Sequence, residues 1–134
     1  ITILQKTCEA LLKVPDQKTC LWYQVLNQGG REGNYIEGSG SAIFTYVFAR
    51  GAHEGYLDDK YLEIAEKAFD NIIKELITTD DDGFLTMQNI CGGCGLGGNP
   101  YRDGSYEYYI NEKRVDNDPK GVAPFILAAI ELDR

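Results

Sequence analysis

The chain has 134 residues, enough for one domain with a substantial core. Its 21 acidic residues outnumber 13 basic ones for a net charge of −8, which speaks against nucleic acid or an anionic membrane surface as a general partner. No apolar run is long enough to span a bilayer, and the opening ITILQKTCEALLKV mixes charges through its apolar positions, so neither a membrane span nor a signal peptide is legible.

In chain order, the sequence opens at Ile1 without an initiator Met, which points to a removed upstream portion. Ile1, Leu4, Cys8, Leu11 and Leu12 fall at helical spacing with Lys6, Glu9 and Lys13 opposite, and Pro15 closes the pattern; this predicts an amphipathic helix over residues 1–14. Leu21 to Val25 reads as a short strand, NQGGREGN as a turn, and NYIE as a second extended piece, together a hairpin or an extended loop. From Ser39, SGSAIFTYVFARGAHEGY is apolar nearly all round behind serines suited to capping, and predicts a helix buried on most sides. His53 reads as a surface or helix-end residue of that segment. DDKYLEIAEKAFDNIIKELI carries the apolar stripe Leu62, Ala65, Phe69, Ile72 and Leu76 of a helix lying on the outside of a core. Thr78 to Pro119 predicts a long non-helical segment with a strand-like GFLTMQ and the glycine loop ICGGCGLGG. The last helix, KGVAPFILAAIELDR, is again apolar all round, with Pro124 placed in its first turn.

A loop of that length inside a compact domain is admissible when it is functional. Its second half, NPYRDGSYEYYINEKRVDNDPKG, packs tyrosines, arginines and paired charges, the chemistry of a surface that stacks on and hydrogen-bonds a polar ligand such as a sugar. Arg102, Asp103 and Glu107 could equally form a local salt-bridge and turn network. Of the four cysteines, only Cys91 and Cys94 share CxxC spacing, while Cys8, Cys20 and His53 stand apart. The set therefore reads as free thiols of a reducing compartment, with no metal and no cofactor, and the glycine loop lacks the helix that follows a redox CxxC. A faint repeat completes the pattern: Gly40-x-Ala42-x-Phe44 and Gly121-x-Ala123-x-Phe125 each open an apolar helix that follows an amphipathic helix and a long loop. Two such units leave open ends, which predicts that they belong to a larger ring or stack.

The strings LWYQV, NYIEGSGSAIF, GLGGNPYRDGSYEYY and ND-x-KG-x-x-PF together resemble the C-terminal part of glycoside hydrolase family 105, the unsaturated rhamnogalacturonyl hydrolases, akin to the unsaturated glucuronyl hydrolases of family 88. The resemblance covers essentially the whole chain. It implies an all-α fold, part of an (α/α)6 barrel of alternating outer and inner helices, with residues 1–134 as a single C-terminal fragment of the catalytic domain. It implies removal of a 4,5-unsaturated uronic acid from the non-reducing end of pectin- or rhamnogalacturonan-derived oligosaccharides by hydration of the double bond. The general acid/base aspartate is implied to lie in an earlier barrel segment, so no catalytic residue is assigned here and the chain alone is expected to be inactive. The chain departs from the family pattern at Cys20, where glycine is usual, and at Cys94, where a small residue without a thiol is more common.

In such barrels the substrate face lies at the N-terminal ends of the inner helices. That places Trp22, Tyr23, Gln24, Asn34, Tyr35 and Glu37 from the first loop, and Tyr101 to Tyr109 with Asn117 to Lys120 from the second, as candidates. Lys120, Asp118, Arg102, Tyr101, Trp22, Gln24 and Glu37 are the chosen substrate contacts, Lys120 foremost because a cation at a helix N-terminus suits a uronate carboxylate. Trp22, Tyr23 and Tyr35 also fit the role of aromatics that fasten a loop to a core. The expected partners are an unsaturated oligosaccharide and the remainder of the barrel polypeptide, without nucleic acid or membrane, in a bacterial cytoplasm or alternatively the periplasm. A non-catalytic carbohydrate-binding or assembly module is the alternative.

Overall fold

The computed structural model describes residues 1–134. Helix α1 (Thr2–Leu11) buries Cys8 and Leu11. It stops earlier than the predicted residue 14, and its last carbonyl, that of Leu11, is taken by the indole N–H of Trp22 at 3.0 Å. Helix α2 (Gly38–His53) buries Ser41, Ala42, Thr45, Phe48, Ala49 and Ala52. Its serine, threonine and alanines let neighbouring helices approach closely, and the two largest packing partners, α3 (Lys60–Leu76) and α5 (Pro119–Leu132), lie against it. The α3 stripe is turned slightly from the predicted one: Tyr61, Ala65, Ala68, Ile72 and Leu76 face the core, while Phe69 is partly buried and stacks on Phe125 of α5, their ring centroids 5.1 Å apart.

Trp22 is the largest fully buried side chain, edge-on to Phe44 at 5.3 Å and Phe48 at 5.6 Å. Burying an aromatic of this size contributes about 3 kcal/mol. The apolar helices are less enclosed than predicted: Ile43 on α2 and Ile126, Leu127 and Ile130 on α5 are exposed, so this chain covers only part of each. No helix is long and apolar enough to cross a membrane.

The extended pieces are short. The predicted strand at Leu21 to Val25 reduces to one antiparallel bridge between Tyr23 and Ile36. After Leu76 the chain turns into β1 (Ile77–Thr79), which pairs antiparallel with β2 (Leu85–Met87) in the register Ile77 to Met87 and Thr79 to Leu85. The turn between them is held by Asp80 Oδ1, which accepts from the backbone of Asp82 and Phe84. β3 (Ile90–Cys91) pairs antiparallel with β4 (Arg114–Val115). Between them, and against the prediction of a non-helical stretch, lies the short helix α4 (Tyr106–Asn111), capped by the Ser105 hydroxyl accepting from Tyr108 N–H. In α5, Pro119 takes the first position and Asp118 caps it, which moves Pro124 into the second turn rather than the first. The Lys120 carbonyl, four residues back from a proline without an N–H, consequently has no helical partner.

Two glycines bring the helix ends together. A Cβ on Gly38 would meet the Gln88 carbonyl at 2.8 Å, and one on Gly121 would meet Ile90 Cδ1 at 2.6 Å. Both helix N-termini therefore pack on the same segment, Met87 to Ile90, with Gly38 N–H donating to Asn89 at 2.9 Å.

Candidate functional site

An open cavity of about 420 Å³ lies where these two helix starts meet the glycine loop. Its wall combines Gln24, Glu37 and Ser39 from the approach to α2, Cys91, Gly93 and Cys94 from β3 and the loop after it, Tyr109 from α4, and Lys120 from α5. A smaller cavity of about 210 Å³ shares Gln24 and Glu37 and reaches Trp22, Gly40 and Phe44. A third depression, between Lys13 to Gln17 and Tyr23 to Gly30, is as large as the first. Its one carboxylate, Asp16, is engaged by Thr19, Lys18 and the Tyr23 hydroxyl, and of the predicted groups it gathers only Tyr23.

Lys120 is the cation of the central cavity. Its ammonium donates to Asp118 Oδ2 at 2.8 Å and to the Gly92 carbonyl at 3.2 Å, and half of the side chain remains exposed. Asp118 is spoken for twice, since it also accepts the Lys120 backbone N–H as the cap of α5. The ammonium and that backbone N–H hold its carboxyl below the usual carboxylate range. Asp118 therefore orients Lys120 and does not present a free carboxylate to a ligand.

Glu37, only 6% exposed, is a second correction to the list of substrate contacts. Its carboxylate caps α2, accepting from the backbone of Ser39 and Gly40, from the Ser39 hydroxyl and from Cys91 N–H across the cavity floor. The glutamate replaces the serines as the predicted cap, and Ser41 instead accepts from Trp22 N–H. With its acceptor positions occupied, Glu37 ties α2 to β3 and is not poised to move a proton.

Trp22 is the clearest correction: at 1% exposure it is core, as the loop-fastening alternative has it, and its ring is no platform for a sugar. Arg102 also serves the loop, donating from Nε to the Gly97 carbonyl at 2.9 Å with its guanidinium lying against Gly95 and Gly98. Neither Arg102 nor the largely exposed Tyr101 lines the central cavity. Of the predicted Arg102, Asp103 and Glu107 network the turn forms and the salt bridge does not: Asp103 accepts from Ser105 N–H with Gly104 at φ +69°, and Glu107 pairs with Arg31 at 3.0 Å. Asn34 and Asn117 are turn staples, Asn34 donating to Val25 and Gln28 and Asn117 accepting from Met87 N–H. Tyr35 is buried under the Arg114 guanidinium, and burial raises its hydroxyl's pKa.

Gln24 lies at the centre of the cavity wall. Its amide nitrogen lies 3.4 Å from Cys91 Sγ, 3.1 Å from Cys94 Sγ and 3.4 Å from the Tyr109 carbonyl. The two thiols were legible only as loop cysteines; their place on the cavity wall follows from the pairing of β3 with β4, which no local pattern announces. The arrangement thus offers one cation, one amide, an aromatic and a helix N-terminus, a set suited to holding a carboxylate-bearing polyol. Neither carboxylate that borders it is free for acid/base work.

The family described as Glycosyl Hydrolase Family 88 matches residues 1–134. Protein Atu3128 of Agrobacterium fabrum is 38% identical over 117 residues, covering 83% of this chain, and the 24.9 kDa protein in picA locus of Rhizobium radiobacter matches equally. The chain spans about half the length of these curated relatives. Among solved structures, a glycoside hydrolase from family 105 of C. acetobutylicum ATCC 824 superposes with a TM-score of 0.91 at 45% identity, covering 94% of this chain and 35% of that one. A possible family 105 member from Klebsiella pneumoniae superposes with a TM-score of 0.75 at 25% identity, covering 97% of this chain and 30% of that one. These neighbours are (α/α)6 barrels, and the present fold is all-α and a portion of such a barrel.

Proposed function

The chain belongs to glycosyl hydrolase family 88, and from that premise we propose that residues 1–134 form the C-terminal part of a barrel catalytic domain that removes a 4,5-unsaturated uronic acid from the non-reducing end of pectin- or rhamnogalacturonan-derived oligosaccharides. In this reaction a carboxyl group protonates one carbon of the enol-ether double bond, and water activated by the same group adds to the other. That carboxyl comes from elsewhere in the polypeptide, because Glu37 caps a helix and Asp118 caps another while holding Lys120. The present residues supply the lip of the pocket: Lys120 and the start of α5 for the uronate carboxylate, Gln24 for a hydroxyl, and Tyr109 for the ring face. The exposed apolar faces at Ile43, Ile126, Leu127 and Ile130 receive the remainder of the barrel. The enzyme acts on small imported oligosaccharides in the cytoplasm.

The observation that carries this reading is Lys120, a half-exposed ammonium at a helix N-terminus on the same cavity as Gln24 and Tyr109. The test is to incubate the intact polypeptide with an unsaturated rhamnogalacturonan disaccharide and follow the ultraviolet absorbance of its double bond. Loss of absorbance supports the hydrolase. Persistent absorbance, together with equal affinity for the saturated sugar, would replace it with a carbohydrate-binding module.

A further inference from the structure

The central cavity holds a pair of groups that the hydrolase reading does not use. Cys91 and Cys94 are free thiols with their sulfurs 3.1 Å apart, and the Gln24 amide nitrogen reaches both. The other two cysteines are not part of this cluster: Cys8 is buried in the helical core, and Cys20 sits in the turn before Leu21. The segment joining the pair is Gly92-Gly93. Gly92 is anchored, its N–H donating to the Lys113 carbonyl at 2.7 Å, whereas a Cβ on Gly93 would have no atom within 4 Å. One end of the loop is thus fixed by the β3–β4 ladder, the far end is held by Gly95 N–H donating to the Tyr108 hydroxyl at 3.0 Å, and the space beside Gly93 between them is open.

We propose that Cys91 and Cys94 are a reversible thiol–disulfide modification site whose oxidation releases Gln24 and reshapes the cavity wall. A bond of about 2.05 Å requires the sulfurs to approach by about 1 Å, a movement the open backbone at Gly93 accommodates. The co-reactant is a small-molecule disulfide of the oxidised-glutathione class. One cysteine thiolate attacks it, forming a mixed disulfide and expelling one thiolate. The second cysteine gives up its proton and attacks the mixed disulfide at the protein sulfur, forming Cys91–Cys94 and expelling the other thiolate. Two S–H bonds are lost, one S–S bond is made, and the oxidant is reduced to two thiols. Partial burial of the Cys94 sulfur and its hydrogen bond with Cys91 push that thiol up to about 12, so Cys94 is a protonated thiol near neutral pH.

The consequence for the cavity follows from the hydrogen bonds. In the reduced state Gln24 shares its amide between two sulfurs and the Tyr109 carbonyl, and Gly92 accepts from Lys120. Drawing the sulfurs together displaces the Cys94 side of the loop while Gly92 and its contact with Lys120 stay in place, so Gln24 is the group that responds.

The site is tested on the intact polypeptide without any sugar, so the outcome is independent of the hydrolase reading. The protein is treated with oxidised glutathione, remaining thiols are alkylated, and the tryptic peptides are weighed. Cleavage after Lys74 and Arg102 places Cys91 and Cys94 in one peptide, with Cys8 and Cys20 on separate peptides as internal references. The expected result is that this peptide escapes alkylation and becomes lighter by two hydrogens, that dithiothreitol reverses the change, and that hydrogen exchange of the segment bearing Gln24 accelerates in the oxidised form. In Cys94→Ser the cross-link and the exchange change both disappear. Separate alkylation or stable glutathionylation of Cys91 and Cys94 overturns the proposal, and a disulfide that leaves exchange at Gln24 unchanged overturns its coupling to the cavity.

Discussion

Glu131 in α5 is almost fully buried, and its Oε1 lies 2.9 Å from Nδ1 of His53 at the end of α2. Arg50 and Arg134 approach the same carboxylate at 3.3 and 3.0 Å, so one acid ties the C-terminal ends of the two apolar helices together. Burial on its own would raise the Glu131 pKa, but the hydrogen bonds from His53, Arg134 and Arg50 outweigh it and hold the carboxyl below its ordinary value. A carboxylate with a depressed folded pKa adds stability that is complete above the unfolded value of about 4.3 and is lost as pH falls through the lower folded value. Glu131→Gln is expected to cost about 1–2 kcal/mol near neutral pH, measured by urea unfolding, and the difference from the parent should vanish at acidic pH. A difference that persists unchanged into acid would show that packing and not charge is at stake.

Cys20 adopts a left-handed conformation with φ +58°, a backbone region that favours glycine. Its N–H is tied to the Asp16 carbonyl at 2.8 Å, which fixes the turn that delivers Leu21 and Trp22 to the core. A side chain in this region costs about 1 kcal/mol, so Cys20→Gly is expected to raise stability by a little under that amount, whereas Cys20→Val should lower it by more. Thermal unfolding of the three proteins gives the ranking directly.

Gly38 and Gly121 make the same demand from the opposite direction. The alanine methyl in Gly38→Ala would strike the Gln88 backbone carbonyl at 2.8 Å, a group that cannot rotate away, so a loss of about 1–3 kcal/mol is expected. Gly121→Ala would meet Ile90 Cδ1, the end of a side chain with other rotamers, and should cost less. Equal losses at both sites, by denaturant unfolding, would contradict the distinction between backbone and side-chain neighbours.

The parts of the molecule that were legible in sequence are those set by local periodicity. The α3 stripe announced an outer helix, and the repeated Gly-x-Ala-x-Phe announced two helices with more apolar surface than this chain covers, as the exposed Ile126 and Ile130 show. The two-residue strands β3 and β4 were not legible, because Ile90 pairs with Val115 across twenty-odd residues of loop and neither end carries a strand pattern. Helix α4 was hidden by its tyrosines, which look the same in a helix as in a binding loop, although the Ser105 cap was there to be read. In the site, Lys120 and Gln24, chosen by type and position, both line the central cavity. Trp22 and Glu37 could not be sorted, since an aromatic or a carboxylate near a helix start serves a ligand or the fold according to tertiary neighbours such as Leu11 and Cys91.

Lys120 carries the proposed recognition of the uronate carboxylate, and its replacement separates recognition from folding. The ammonium is half exposed and its pairing with Asp118 is a surface interaction, so Lys120→Met should leave stability nearly unchanged. A hydrogen bond to a charged group contributes about 1.5–3 kcal/mol when it is made to substrate, which corresponds to a fall of about 10- to 100-fold in kcat/KM toward an unsaturated uronyl disaccharide. Gln24→Ala, which removes a neutral donor, should fall by about tenfold or less. Both variants are assayed in the intact polypeptide by decay of the double-bond absorbance, with an uncharged methyl ester of the same uronide as the control. For Lys120→Met the loss should be confined to the acid, because the ester offers no charge for the ammonium to meet. An equal loss on acid and ester would mean that Lys120 shapes the loop through Gly92 and does not bind the carboxylate itself.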